Sequence, residues 1–322
     1  MGENGGVRDE LGGSVPDLLN ELTERFASAG IDNPAVDAEL LIGHVLDASR
    51  GSVQASALLG KRVTAAQLAR IRELAELRAE RVPLQHLTGR APFRGLELRV
   101  GPGVFVPRPE TETVAQFAID ALAAAGVAEP AVAGAAGSAG PGLAGESVAP
   151  LAVDLCTGSG AIALALATEV PSAQVWAVEK SAEAHAWANE NVRALGEGRV
   201  TLVHGDLAEF VPGALAPSAL AGRVDVVVSN PPYVPSAMIP RDPEVRDHDP
   251  ALALYGGDDG LDVIRVISGV ARQLLAPGGA LVLEHAEGQG AAIRDLLSRD
   301  GWRGCATHPD LTGRDRATTA LK

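Results

Sequence analysis

The sequence has little that could fix a covalent or metal-bound framework. Its 322 residues include only two cysteines, Cys156 and Cys305. They lie far apart and match neither a disulfide ladder nor a zinc-ligand spacing, so a reducing, cytoplasmic setting is expected and a metal site is not. Long apolar runs are also missing. None approaches the about 20 residues of a membrane-spanning helix, and no basic start followed by an apolar stretch marks an export signal. Basic residues are in the minority, 27 Lys and Arg against 41 Asp and Glu, for a formal charge of −14. That balance opposes non-specific attraction to nucleic acid and to anionic membranes, and it suits a basic protein partner better.

What is present is a globular composition, 46% apolar and 21% charged, in a chain long enough for one large domain and a smaller one. Residues 1–13 are glycine-rich and polar and predict a disordered tail. Residues 14–90 show helical spacing in Leu18, Leu22 and Phe26 behind Pro16, in Leu40, Leu41, Val45 and Leu46 after Asn33-Pro34, and in Leu68, Ile71, Leu74 and Leu77 after a Thr64 cap. They predict a small helical domain with a docking role, since no catalytic grouping stands on it. Residues 91–104 alternate as a hairpin linker would. Residues 105–322 predict an α/β domain, interrupted at 126–149 by a flexible insertion of Ala, Gly, Pro, Val and Ser. Apolar strands at 151–155, 174–178, 200–203 and 224–228 alternate there with helices at 161–170 and 182–195, the pattern of a parallel sheet covered on both faces. Helices at 260–275 and 289–299 and strands at 280–284 and 316–321 complete it.

Between the first of these strands and its helix, Gly158, Gly160 and Ala163 fit the G-x-G-x-x-G/A turn of nucleotide-binding half-folds. Glu179 ends the second strand about 20 residues on, where a carboxylate can bind ribose hydroxyls. Asp206 ends the third strand, positioned to meet an adenine edge. These features fit a nicotinamide dehydrogenase and an S-adenosylmethionine (SAM) methyltransferase alike. Ser229-Asn230-Pro231-Pro232-Tyr233 separates the two. An Asn at a strand's carboxyl end offers acceptors for a planar NH2 group, on which the Tyr233 ring can stack. Ligands of open α/β sheets bind beyond the strands' carboxyl ends, so this motif meets the glycine loop at one crevice, with no hydride-transfer constellation nearby.

In these residues the chain resembles the HemK/PrmC protein-(glutamine-N5) methyltransferases, which modify the Gly-Gly-Gln motif of peptide chain release factors. The resemblance covers residues 16–322 apart from the insertion. It rests on residues 85–89, on Phe105-Val106-Pro107-Arg108-Pro109-Glu110-Thr111-Glu112, and on Asp154-Leu155-Cys156-Thr157-Gly158-Ser159-Gly160. It continues through Asn230-Pro231-Pro232-Tyr233, Ala251-Leu252 with Gly256-Gly257-Asp258-Asp259-Gly260-Leu261, Glu284 with Gln289, and Asp310-Leu311-Thr312-Gly313-Arg314-Asp315-Arg316. It implies a helical N-terminal domain, a hairpin linker and a seven-stranded, Rossmann-like SAM-dependent methyltransferase sheet whose last strand is antiparallel. It also implies SAM contacts at Cys156, Thr157, Gly158, Ser159, Gly160, Glu179, Asp206, Leu207 and Asn230. Catalytic binding of the substrate amide falls to Asn230, Pro231, Pro232 and Tyr233, and the 105–112 loop forms a second wall. The sequence departs from the family at Glu284-His285-Ala286, usually Glu-Ile-Gly, and at Leu207, often aromatic. His285 is read as structural and Cys156 as packing.

The expected reaction moves a methyl group from SAM to the side-chain amide nitrogen of the Gly-Gly-Gln glutamine. The chain is expected to act as a monomer, without direct binding of nucleic acid or membrane. Asn230 and the Pro231 carbonyl would accept the two amide N–H groups, and orientation would supply much of the rate. One alternative is the glutamine methyltransferase of ribosomal protein L3. Others are exocyclic-amine methyltransferases of RNA or DNA, which share the Asn-Pro-Pro-Tyr chemistry but require a basic groove, and a non-catalytic SAM-fold binding module, which has no need of those acceptors.

Overall fold

A computed structural model describes residues 11–127 and 149–322 and divides into two compact units. The expected tail up to residue 10 and most of the 126–149 insertion fall outside the described residues.

The first unit runs to Arg90 and also takes in Pro240–His248. It contains β1 (Leu11–Ser14), α1 (Val15–Ser28), α2 (Pro34–Leu46), α3 (Arg50–Leu58), β2 (Arg62–Thr64), α4 (Ala65–Ala79) and α5 (Leu84–Thr88). Residues 11–13, assigned by composition to the tail, pair instead with β2. Gly12 permits this, because a Cβ there would stand 2.7 Å from the Thr64 carbonyl oxygen. Side-chain caps set the helix starts: Ser14 for α1, Ser49 for α3, and Thr64 with Gln67 in a reciprocal capping box for α4. The core gathers Leu18, Leu22, Phe26, Leu41, Ile42, Ile71 and Leu74. Leu40 and Leu77, expected on the apolar faces, are exposed, and Ala38 and Ile42 take the inward positions on α2.

The second unit opens with a two-stranded sheet, β3 (Arg90–Phe93) and β4 (Leu96–Arg99), followed by α6 (Pro109–Val127). Then come β5 (Leu151–Leu155), α7 (Ala161–Glu169), β6 (Gln174–Glu179), α8 (Ala182–Leu195), β7 (Val200–His204) and β8 (Val224–Ser229). Beyond α9 (Pro243–His248), which belongs to the first unit, follow α10 (Ala251–Leu254), α11 (Asp262–Leu274), β9 (Leu275–Glu284), α12 (Gly290–Arg299), β10 (Arg303–Pro309) and β11 (Asp315–Leu321). The main sheet has seven strands in the order β10-β11-β9-β8-β5-β6-β7. β5 to β9 pair in parallel, and β11 runs antiparallel to both its neighbours. Alternate residues of β5 face opposite layers, Ala152 toward α6 and α7, and Val153 and Leu155 toward α11 and α12. That two-sided burial is why these strands read as near-continuous apolar runs. β10 has no such run and carries no strand signal in the sequence.

Pro240–His248 lies within the sequence of the larger domain, yet charge ties it to the helical unit. Arg78, 6% exposed, donates to Asp37 at 2.7 Å and to Glu244 Oε1 at 2.8 Å. Arg81 donates from Nε to the same Oε1 at 2.8 Å and from Nη2 to Oε2. Burial opposes ionisation of Glu244, but the hydrogen bonds from Arg81 and Arg78 outweigh it and hold its pKa at about 2. Its stabilising contribution is therefore complete above an unfolded value near 4.5 and is lost as the pH falls toward 2. Glu244→Ala should destabilise the helical unit by about 2–3 kcal/mol at neutral pH, read as a lower urea midpoint. That is below the usual cost of breaking a buried pair, because Asp37 and the Val82 carbonyl still hold Arg78.

Candidate active site

Strand register brings the candidate residues to one edge. Leu155 pairs with Ser229 on one side and Val178 on the other, Ser229 with Leu283, and Glu179 with His204. The carboxyl ends of β5, β6, β7, β8 and β9 therefore finish level. The chain order reverses between β5 and β8, the switch point where open α/β sheets bind ligands. Ser229 Oγ donates to the Leu155 carbonyl at 2.6 Å and bolts the two strand ends together.

The glycine loop leaves β5 with Cys156, Gly158 and Gly160 all at positive φ, +63°, +58° and +85°. Open space lies above Gly158, where an added Cβ would meet nothing within 4 Å. Buried Asp154 fixes the loop from below, its Oδ2 accepting from Thr157 Oγ1 at 2.6 Å and from the Ala163 N–H at 3.1 Å. Burial pushes the Asp154 pKa up to about 7 against the pull of those two bonds. Glu179 braces the loop from the side, its Oε2 accepting from Gly158 N–H at 2.9 Å and its Oε1 from Ser181 N–H at 2.7 Å. Burial raises its pKa while the backbone donors oppose it. Each oxygen keeps a further lone pair for a ligand. Ser159 is held through its carbonyl by Asn191 Nδ2 at 2.9 Å. Cys156 is half-buried, and desolvation, with Glu179 and Asp154 adding to it, raises its pKa.

At the end of β7, Asp206 caps a short 3-10 helix, Leu207–Glu209, by accepting from Ala208 N–H at 2.9 Å. Its Oδ2 meets Lys180 Nζ at 2.8 Å, and that ammonium is the main cause of its lowered pKa. Leu207 packs partly buried against the core rather than standing free.

Beyond β8, Pro231 and Pro232 are buried while Asn230 and Tyr233 are half-buried. Asn230 Nδ2 donates to Thr111 Oγ1 at 3.3 Å. The Tyr233 hydroxyl donates to Glu284 Oε1 at 3.3 Å, at the end of β9, and burial raises its pKa. The backbone here is shaped by residues 256–260. A Cβ on Gly256 would collide with the Pro232 carbonyl oxygen, and one on Gly260 with the Tyr233 carbonyl oxygen. Gln289 completes the brace, donating from Nε2 to the Tyr233 carbonyl at 2.9 Å.

Residues 105–112, expected as a loop, reach this edge through Thr111, which stands in the first turn of α6 because the helix already starts at Pro109. Arg108 in that loop donates to Asp249 at 2.9 Å and lies over the Phe105 ring. His285 is fully buried with both ring nitrogens engaged, Nδ1 with the Ala286 carbonyl and Nε2 with Thr318 Oγ1, each at 2.8 Å. It is structural. Sequence reasoning missed Thr111 and Glu284 as partners of Asn230 and Tyr233. The available signal was a carboxylate ending an apolar strand, which is costly unless it does something.

Comparison with known proteins closes the question of family. The PrmC N-terminal domain matches residues 17–89, and the methyltransferase small domain matches residues 146–239. The release factor glutamine methyltransferase of Streptomyces coelicolor is 46% identical over 305 residues, 94% of this chain and 96% of its own. The chain belongs to the release factor glutamine methyltransferase family. The Bifidobacterium longum member is 41% identical over 95% of this chain and 99% of its own. One relative in Streptomyces pristinaespiralis, 35% identical over 96% of this chain and 95% of its own, is a 4-amino-L-phenylalanine/4-methylamino-L-phenylalanine methyltransferase. Among the described residues no helix of this family member is long and apolar enough to cross a membrane, and no cluster of His, Cys, Asp and Glu could hold a metal ion.

The raised Cys156 pKa yields a prediction. At about pH 8 a maleimide should label Cys305 first and Cys156 slowly, a difference that peptide mapping by mass spectrometry would resolve. Equal labelling rates would contradict the raised pKa of Cys156.

Proposed function

We propose that this chain transfers a methyl group from SAM to the side-chain amide nitrogen of the Gly-Gly-Gln glutamine of peptide chain release factors. The observation that carries the reading is the Asn230 amide, tethered by its Nδ2 to Thr111 so that Oδ1 remains as an acceptor, at the end of the strand that pairs level with the one leading into the glycine loop. Near-full-length relatives that act on release factor glutamine support the substrate.

The residues present fit SAM. The space above Gly158, the lone pairs left on Glu179 and the capped carboxylate of Asp206 suit the amino-acid, ribose and adenine parts respectively. When bound, it supplies an electrophilic methyl group. An amide nitrogen is a weak nucleophile because its lone pair is delocalised into the carbonyl, and the chain's task is to aim it. Asn230 Oδ1 and the Pro231 carbonyl accept the two N–H bonds, and Tyr233 limits the tilt of the amide plane. The nitrogen, once alkylated, sheds a proton to water, so no strong base is required.

Incubation with SAM and a release factor, followed by peptide mapping, should find one methyl group on the Gly-Gly-Gln glutamine. Methylation of 4-aminophenylalanine or of RNA, with none on the release factor, would replace the reading with that substrate. Asn230→Ala should lower kcat about 100-fold, a larger effect than any loss of SAM affinity. Asp206→Ala should instead weaken SAM binding about 10-fold by calorimetry, with kcat less affected.

A further inference from the structure

Asn230 can serve as an acceptor only if its amide is the right way round, and shape cannot decide that, because the oxygen and nitrogen ends are nearly equal in size. A flipped side chain would present NH2 to a substrate NH2, donor against donor. The neighbours must impose the orientation. Thr111 is buried, and its hydroxyl has one proton to give and lone pairs to receive. On one side it receives Asn230 Nδ2 at 3.3 Å. On the other side stands Glu284, 2% exposed, which accepts the Tyr233 hydroxyl at 3.3 Å through Oε1. Its Oε2 has no partner at full hydrogen-bond geometry, so the buried charge draws on the Thr111 hydroxyl and on the Arg316 guanidinium nearby.

We propose that Glu284 and Thr111 are positioning residues for the acceptor amide: ionised Glu284 takes the Thr111 proton into a hydrogen bond, Thr111 must then accept from Asn230 Nδ2, and Oδ1 is turned to the substrate. This rests on the amide-methyltransferase reading above. An ionised carboxylate can only accept, so the direction of each bond in the chain is fixed. A protonated Glu284 can donate to Thr111 instead, freeing the hydroxyl to donate toward Asn230 and allowing the amide to flip. The same protonation alters the bond that holds Tyr233.

The groups around Glu284 set where the change falls. Desolvation pushes its pKa up to about 7, opposed by the Thr111 hydroxyl, Arg316 and Tyr233, while Glu110 adds to the rise. On its own strand, neighbouring His285 is held neutral by burial and engaged by Thr318. On β11, Arg316 also faces Asp310 at 3.7 Å and donates to the His285 carbonyl at 3.3 Å. A carboxylate required in its ionised form gives a rate that rises with pH through its pKa. A substrate amide does not titrate in this range, so the limb belongs to the protein.

The test is kcat and KM for a release factor, measured from about pH 5.5 to 9 on wild type, Glu284→Gln, Thr111→Val and Thr111→Ser, with SAM affinity and thermal unfolding checked for each. Wild-type kcat should rise through about pH 7. Glu284→Gln should lose that limb and run at least about 10-fold slower at the plateau with KM for SAM unchanged. Thr111→Val should lose kcat similarly, and Thr111→Ser, which keeps the hydroxyl, should restore most of the rate and the limb. An active wild type with Glu284→Gln retaining its plateau or its acidic limb overturns the inference alone, as does a Thr111→Val enzyme of normal kcat. A wild type that methylates no glutamine overturns the reading of function and the inference together.

Discussion

The lateral pairing of β5 with β8 is the constraint on which the site depends. These strands are far apart in sequence, and each alone ends in an ordinary turn. Pairing Leu155 with Ser229 puts the glycine loop and Asn230 at the same height, and the Ser229 hydroxyl on the Leu155 carbonyl resists slippage. A slip of one residue would exchange the two faces of β8 and turn its valines out of their layers. The candidate cofactor residues and the candidate acceptor residues thus share a boundary by virtue of sheet register.

Around that edge, buried carboxylates act as fixings for backbone. Asp154 holds the glycine loop to its strand, and Glu179 binds two N–H groups from two different turns. Both lie in a low-dielectric setting that raises their pKa values, and both remain tolerable because hydrogen bonds offset part of the desolvation cost. Glu284 differs, because its partners are side chains, Tyr233 by hydroxyl and Arg316 by charge. Protonation of Asp154 would loosen the glycine loop, whereas protonation of Glu284 would act on the side chains around Asn230.

Much of this was legible in the sequence. Glycines at positive φ, apolar runs buried on two faces and the order of the motifs are local or additive signals, and they fixed the α/β architecture and the edge at which Asn230 sits. Four things were not legible. β10 lacks apolar alternation because it pairs only with β11, at the edge of the sheet. Residues 11–13 looked like tail because Gly12 is small for packing reasons visible only once Thr64 is beside it. Thr111 and Glu284 are 173 positions apart by subtraction of their numbers, and no spacing rule connects them to Asn230. Pro240–His248 belonged to a domain by continuity and to a unit by the charges of Arg78 and Arg81.

Gly256 and Gly260 lie so close over the Pro232 and Tyr233 carbonyls that no side chain could be inserted, and Gln289 closes the same stretch. The curve of residues 230–233 is therefore cast against a mould supplied from elsewhere in the chain. Grafting Asn-Pro-Pro-Tyr onto the end of another parallel strand would transfer the four letters without their shape. The portable unit is the strand end together with its glycine cover, and a designer seeking amide chemistry on a new sheet would have to carry both.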